Sequence, residues 1–154
     1  MKRMDTFLVP TFTTVVDLTQ PGGDYDDPVL IIRGQHMLPS LEKTIKMAYK
    51  MGIKIATGAD TGYGANSTTR VGMEITNFVN LGMKPIDAIQ SATIIGAELL
   101  GIANKTGTIS IGKEADLIVV TSNPLNDIRT IQDVVFVMSN GKIGLNRLPF
   151  EKDN

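Results

Sequence analysis

The carboxylate of Asp60 is the side chain best placed to do chemistry. It sits in Thr57-Gly58-Ala59-Asp60-Thr61-Gly62, where a short apolar run over residues 53–57 ends among glycines. In β/α architectures functional groups gather at the C-terminal ends of strands, because the loops above them are free to vary. Flanking glycines let the backbone turn sharply and let another group approach closely. The position suits a metal ligand or a base, although Asp between glycines is also ordinary turn chemistry.

The other polar candidates are weaker. The single histidine, His36, precedes a helical pattern and reads as a surface loop residue without a partner. Asp24, Asp26 and Asp27 lack the spacing and closing glutamate of a calcium loop, and read as a solvated acidic turn. Asp116 precedes an apolar run and suits a structural carboxylate bonded to nearby backbone. Arg70 and Glu74 are four apart, a helical pair worth about 0.2–0.5 kcal/mol that carries no chemistry. There are no cysteines, which removes disulfides, thiolate metal sites and cysteine nucleophiles together.

Composition narrows the class. The chain has 154 residues, 42% hydrophobic and 20% charged, as expected of a soluble globular protein. Its formal net charge of −1 leaves no electrostatic footprint for nucleic acid or an acidic membrane surface. No stretch approaches transmembrane length. Asp5 and Pro10 interrupt any apolar signal segment behind Met1-Lys2-Arg3, and a cytoplasmic location is expected. The eight methionines are scattered and read as core filler.

Elements that could position Asp60 follow from periodicity. Residues 7–16 are β-branched and aromatic, which predicts a short strand ending near Pro10. A long loop follows, through Pro28. Pro39 suits a first helical turn, with Leu41, Ile45 and Ala48 on one apolar stripe and Gly52 just past the helix end. Residues 53–57 read as a buried strand, so the order is strand, helix, strand, with room for a parallel crossover. A helix carries Val71, Ile75 and Phe78 and stops at Gly82; another runs from Pro85 to about Leu100. Residues 107–113 read as strand and turn, and 115–120 as a buried strand. Asn140-Gly141 marks a hairpin between residues 133–139 and 142–145.

Four motifs together resemble the C-terminal part of an amidohydrolase-superfamily enzyme, of the imidazolonepropionase-like and Xaa-Pro dipeptidase-like branch. The first is the Asp60 strand end, and the second is Gly82-Met83-Lys84-Pro85-Ile86-Asp87-Ala88-Ile89-Gln90-Ser91-Ala92-Thr93. The third is Gly96-Ala97-Glu98-Leu99-Leu100-Gly101. The fourth is Gly107-Thr108-Ile109-Ser110-Ile111-Gly112-Lys113-Glu114-Ala115-Asp116-Leu117-Ile118-Val119. Asn123-Pro124-Leu125 and Asn140-Gly141-Lys142 fit the closing β segment.

The resemblance implies an α/β fold: the last two strands and helices of a (β/α)8 barrel over residues 1–104, then a β segment of a composite sandwich over 105–154. It implies that Asp60 matches the strand-eight aspartate, which touches the metal and takes a proton from the attacking hydroxide. The implied cofactor is a divalent metal, zinc for preference, and the implied reaction is hydrolysis of an amide-like C–N bond in a small molecule or dipeptide. The family's other ligands are a His-x-His pair, a bridging lysine or acid and further histidines on earlier strands; His36 matches none of them. A catalytic zinc takes about three protein ligands, so the isolated chain is expected to bind no metal and to be inactive. Two barrel strands leave open edges and apolar faces. Self-association, or completion by a missing N-terminal half, is therefore expected. A non-catalytic association module and one half of a split enzyme remain as alternatives.

Overall fold

Asp27 and Pro28 start the longest helix. The computed structural model describes residues 4–22, 26–60 and 70–148. Asp27 caps α2 (Pro28–Lys50), its carboxylate accepting from the amides of Val29 at 2.7 Å and Leu30 at 3.2 Å. Pro28 takes the first turn, where a missing N–H costs nothing. Pro39 therefore lies inside the helix rather than at its start, and His36 lies on the helix rather than in a loop. Pro39 and Gln35 both face solvent, so water can take the carbonyl that the proline ring leaves unbonded. Gly52, at φ 67°, ends the helix as expected, and the Ile53 amide reaches back to the Ala48 carbonyl.

The strand expected over residues 7–16 is a single parallel bridge, Leu8 to Ile55, followed by a helix. Pro10 has no N–H to extend the ladder, and Thr11 turns left-handed at φ 45°. Residues 12–17 then coil into α1 (Phe12–Asp17). The loop expected through Pro28 is correspondingly shorter, and Asp24 lies outside the described residues. The expected strand at 53–57 is likewise reduced to the bridge at Ile55. Parallel order is kept: Leu8 donates to Lys54 and accepts from Ala56.

α3 (Arg70–Asn80) ends before Gly82, and α4 (Pro85–Ala92) starts on Pro85. The single helix expected to Leu100 breaks at Thr93 into α4 and α5 (Ile94–Leu99). The Ser91 carbonyl, which an unbroken helix would use internally, accepts from the Thr57 amide at 3.1 Å instead. Residues 107–113 form turns rather than a strand.

An antiparallel sheet closes the chain, in the order β1 (Leu117–Val120), β2 (Val134–Ser139), β3 (Lys142–Asn146). Asn140 and Gly141 turn the β2–β3 hairpin with φ of 48° and 72°, the mirror-image turn that matches strand twist. β1 is not buried as expected: Ile118 and Val119, which point to opposite faces of the sheet, are both exposed. The core gathers Phe12, Ile45, Ile55, Ile75, Phe78 and Met83 with Ala48, Ala88 and Ile128. Full burial of a side chain such as Phe78 stabilises by about 1.5–3 kcal/mol.

Candidate functional site

Asp60 ends the extended segment that Leu8 and Ser91 hold by hydrogen bonds. Its side chain is exposed, and its backbone is left-handed at φ 43°. Such a conformation costs an L-residue roughly 1–2 kcal/mol, with Asp among the residues that tolerate it best. Surrounding contacts must hold it there.

Those contacts come from α1, which α3 in turn holds in place. Glu74 is fully buried, and its carboxylate accepts from the Phe12 amide at 2.9 Å, the Thr13 amide at 2.7 Å and the Thr13 hydroxyl at 2.7 Å. The Gly58 N–H adds a weaker pull on the same carboxylate. Thr11, at the N-cap of α1, makes no side-chain cap bond, so a carboxylate from a distant helix satisfies the first amides of α1. Asn77 Nδ2 donates to the Thr13 hydroxyl at 3.1 Å. Burial pushes the Glu74 carboxyl above its ordinary value, against the pull of the Thr13, Phe12 and Gly58 donors.

Arg70, one turn earlier and equally buried, reaches Asp17 at 2.8 Å and the Thr14 hydroxyl at 3.2 Å. The Thr14 hydroxyl donates in turn to the Ala59 carbonyl at 3.4 Å. Arg70 and Glu74 are thus not an exposed helical pair. Both point inward and organise the segment that ends in Asp60. The signal was in the spacing: Glu74 lies four residues before Phe78, on the buried face of α3, where an ionisable residue is rare unless bonded.

The remaining candidates sit apart. His36 is exposed on α2, and Asp27 is occupied as a helix cap. Asp116 is structural, as expected. It accepts from the Asn140 amide at 2.7 Å, Thr106 Oγ1 at 3.0 Å and Ser139 Oγ at 3.2 Å, and these donors hold its carboxyl below the ordinary value. Among the described residues no group of three or more His, Asp or Glu side chains is placed to hold a metal ion. A catalytic zinc takes three protein ligands, so Asp60 with its described neighbours does not fit one. A mostly apolar cleft of about 880 Å³ opens between α3, α5 and the sheet, lined by Val71, Ile75, Leu99, Leu100, Ile109 and Met138; Asp60 does not line it. Val71 is exposed at this cleft rather than packed in the core.

The sequence profile of the Amidohydrolase family matches residues 13–144. The chain belongs to this family. It is 34% identical over 113 residues to ochratoxinase from Aspergillus niger, covering 71% of this chain and 23% of the relative. It is 29% identical over 105 residues to guanine deaminase from Escherichia coli, covering 61% of this chain and 24% of that enzyme. A crystal structure of a Xaa-Pro dipeptidase with bound methionine superposes on 95% of the chain with a TM-score of 0.83 at 34% identity, using 36% of that protein. This amidohydrolase chain therefore spans about a quarter of the curated relatives it matches. No helix among its described residues is long and apolar enough to cross a membrane.

Proposed function

We propose that the chain is the C-terminal portion of a metal-dependent amidohydrolase that cleaves an amide-like C–N bond in a small molecule or dipeptide. The observation that carries this is the superposition of 95% of the chain on a Xaa-Pro dipeptidase at 34% identity. Within that reading residues 1–104 are the closing part of a (β/α)8 barrel, and residues 105–154 belong to a composite β-sandwich. The enzyme is taken to be cytoplasmic.

Asp60 is the reactive carboxylate. It is exposed at the end of an extended segment and free to act as a base, taking a proton from the attacking water and returning it to the leaving nitrogen. A divalent metal, zinc for preference, would supply Lewis acidity in the complete enzyme, with Asp60 as one ligand and the others from polypeptide outside these 154 residues.

The test is an activity comparison. The chain is assayed against Xaa-Pro dipeptides and N-acyl amino acids with added zinc, alone and with the polypeptide that completes the barrel. The expected result is hydrolysis only by the completed enzyme, lost in Asp60→Asn. Undiminished turnover by the completed Asp60→Asn enzyme overturns the assignment. A second reading, a non-catalytic association module, is favoured by exposed Ile118, Val119 and Ile143 on the sheet and by exposed Ile109 and Ile111. It predicts a stable complex with no hydrolysis.

A further inference from the structure

Two polar groups of the backbone lead directly into Asp60: the Gly58 N–H and the Ala59 carbonyl. Both lie against one network rooted in the first turns of α3. Glu74 accepts from the Phe12 and Thr13 amides at the start of α1, and the Gly58 N–H adds to the pull on its carboxyl. The Ala59 carbonyl accepts from Thr14, whose hydroxyl oxygen accepts from Arg70. The start of α1 and the Asp60 segment are thus tied to a single anchor.

We infer that Glu74 is the positioning residue for Asp60, holding the reactive carboxylate in its left-handed backbone conformation by clamping the Gly58–Ala59 segment to α1. This rests on Asp60 being the reactive carboxylate of the proposed hydrolase. Among the described residues the hydrogen-bond partners of Glu74 are all donors: the amides of Phe12 and Thr13 and the Thr13 hydroxyl. Ionised carboxylate is the acceptor-only group that can take them all, and hydrogen bonds to a charged acceptor are the stronger kind. Glutamine has the same shape but turns an NH2 toward donors, so one pair of partners is lost.

A staple that merely stabilises the fold makes a different prediction from one that sets Asp60. The experiment is NMR on the full 154-residue chain, comparing wild type, Glu74→Gln, Thr14→Val and a control. The control is Ile128→Ala, which weakens the common core without touching the clamp. In Glu74→Gln the Phe12 or Thr13 amide is expected to exchange about 10- to 100-fold faster, the factor given by losing a hydrogen bond to a charged group. The φ-dependent coupling of Asp60 is expected to move away from its left-handed value. Thr14→Val shifts Ala59 and Asp60 while leaving the Phe12 and Thr13 amides in place, and it carries the test if Glu74→Gln does not fold. Ile128→Ala raises exchange throughout the core without moving the Asp60 coupling.

In the completed enzyme, Glu74→Gln and Thr14→Val should lower kcat while leaving KM in place, with partial recovery in Glu74→Asp. Clamp variants that leave Gly58, Ala59 and Asp60 behaving as in Ile128→Ala overturn the inference. If the NMR effects occur but Asp60→Asn keeps full activity, the clamp stands and the catalytic reading of Asp60 falls.

Discussion

Gly58 and Thr11 meet so closely that a β-carbon added to Gly58 would collide with Thr11 Cγ2, and would lie 2.9 Å from Val9 Cγ1. Real β-carbons do not approach that near, so only glycine lets the segment before Asp60 lie against the turn that starts α1. Gly58→Ala is expected to cost about 1–3 kcal/mol, the range for overpacking a fitted site. Thr11→Ser removes the nearer methyl and should restore part of the loss, leaving the Val9 contact. Urea midpoints of the two single variants and the double variant measure this; strict additivity would mean that the two residues do not touch.

How much of this was legible depends on how local each cause is. The Leu41, Ile45 and Ala48 stripe, the Gly52 stop and the Asn140-Gly141 hairpin are set by neighbours a few residues away, and all are present. Residues 12–16 carry strand-type side chains yet form α1, because the carboxylate that satisfies their amides lies 61 and 62 residues along the chain. No window on the sequence contains that partner. His36 differs for another reason. Asp27-Pro28 is a good helix start, but after the turn-forming residues Pro21-Gly22 it reads as more loop, and Pro39 takes its place. The glycines around Asp60 single it out in the sequence. Its support does not show there, because an i, i+4 pair of opposite charges usually lies in solvent.

Gly107 joins α5 to the β unit at φ 93°, and an added β-carbon would lie 2.9 Å from Ala97 Cβ and 3.0 Å from Ile94 Cα. Gly107→Ala combines a strained backbone with a clash against a helix that cannot shift without disturbing Ala97 in the interior. The expected loss is about 2–4 kcal/mol. Denaturant unfolding should show the midpoint falling with an unchanged slope. An unchanged midpoint would mean that the joint between α5 and the β unit is loose.

Asp116 gives the β unit an acid-sensitive staple. The Asn140 amide is the main cause of its lowered pKa, with the Thr106 and Ser139 hydroxyls adding to it. The folded-state value lies below the ordinary 3.8, so the unfolded chain takes up the proton first as pH falls. The stabilisation is therefore complete above the ordinary value and is lost as pH drops through the folded one. Amide exchange at Asn140 should accelerate in that acid window, and Asp116→Asn should show little further change across it. Identical acid profiles for the two proteins would remove Asp116 as the cause.

The last prediction concerns what covers the apolar surface. Residues 108–111 alternate Thr, Ile, Ser, Ile, a strand pattern, yet they form no ladder. Ile109 is 92% exposed, Ile111 fully so, and Leu100 70%. Beside them the 880 Å³ cleft is lined by Val71, Ile75, Leu99 and Met138. Apolar surface gathered in this way marks an interaction site, and an unpaired strand-like segment is a template for pairing with another chain. The chain alone is therefore expected to self-associate at micromolar concentration, giving a light-scattering mass above that of one chain, or to bind a hydrophobic dye as a monomer. Replacing Ile109 and Ile111 together by Lys should shift the distribution toward monomer without lowering the unfolding midpoint, because neither side chain contributes to the core. A sharp monomer peak for the unaltered chain, with cooperative unfolding and no dye binding, would mean that the exposed isoleucines need no cover. That result would count against both completion by a further polypeptide and the association module.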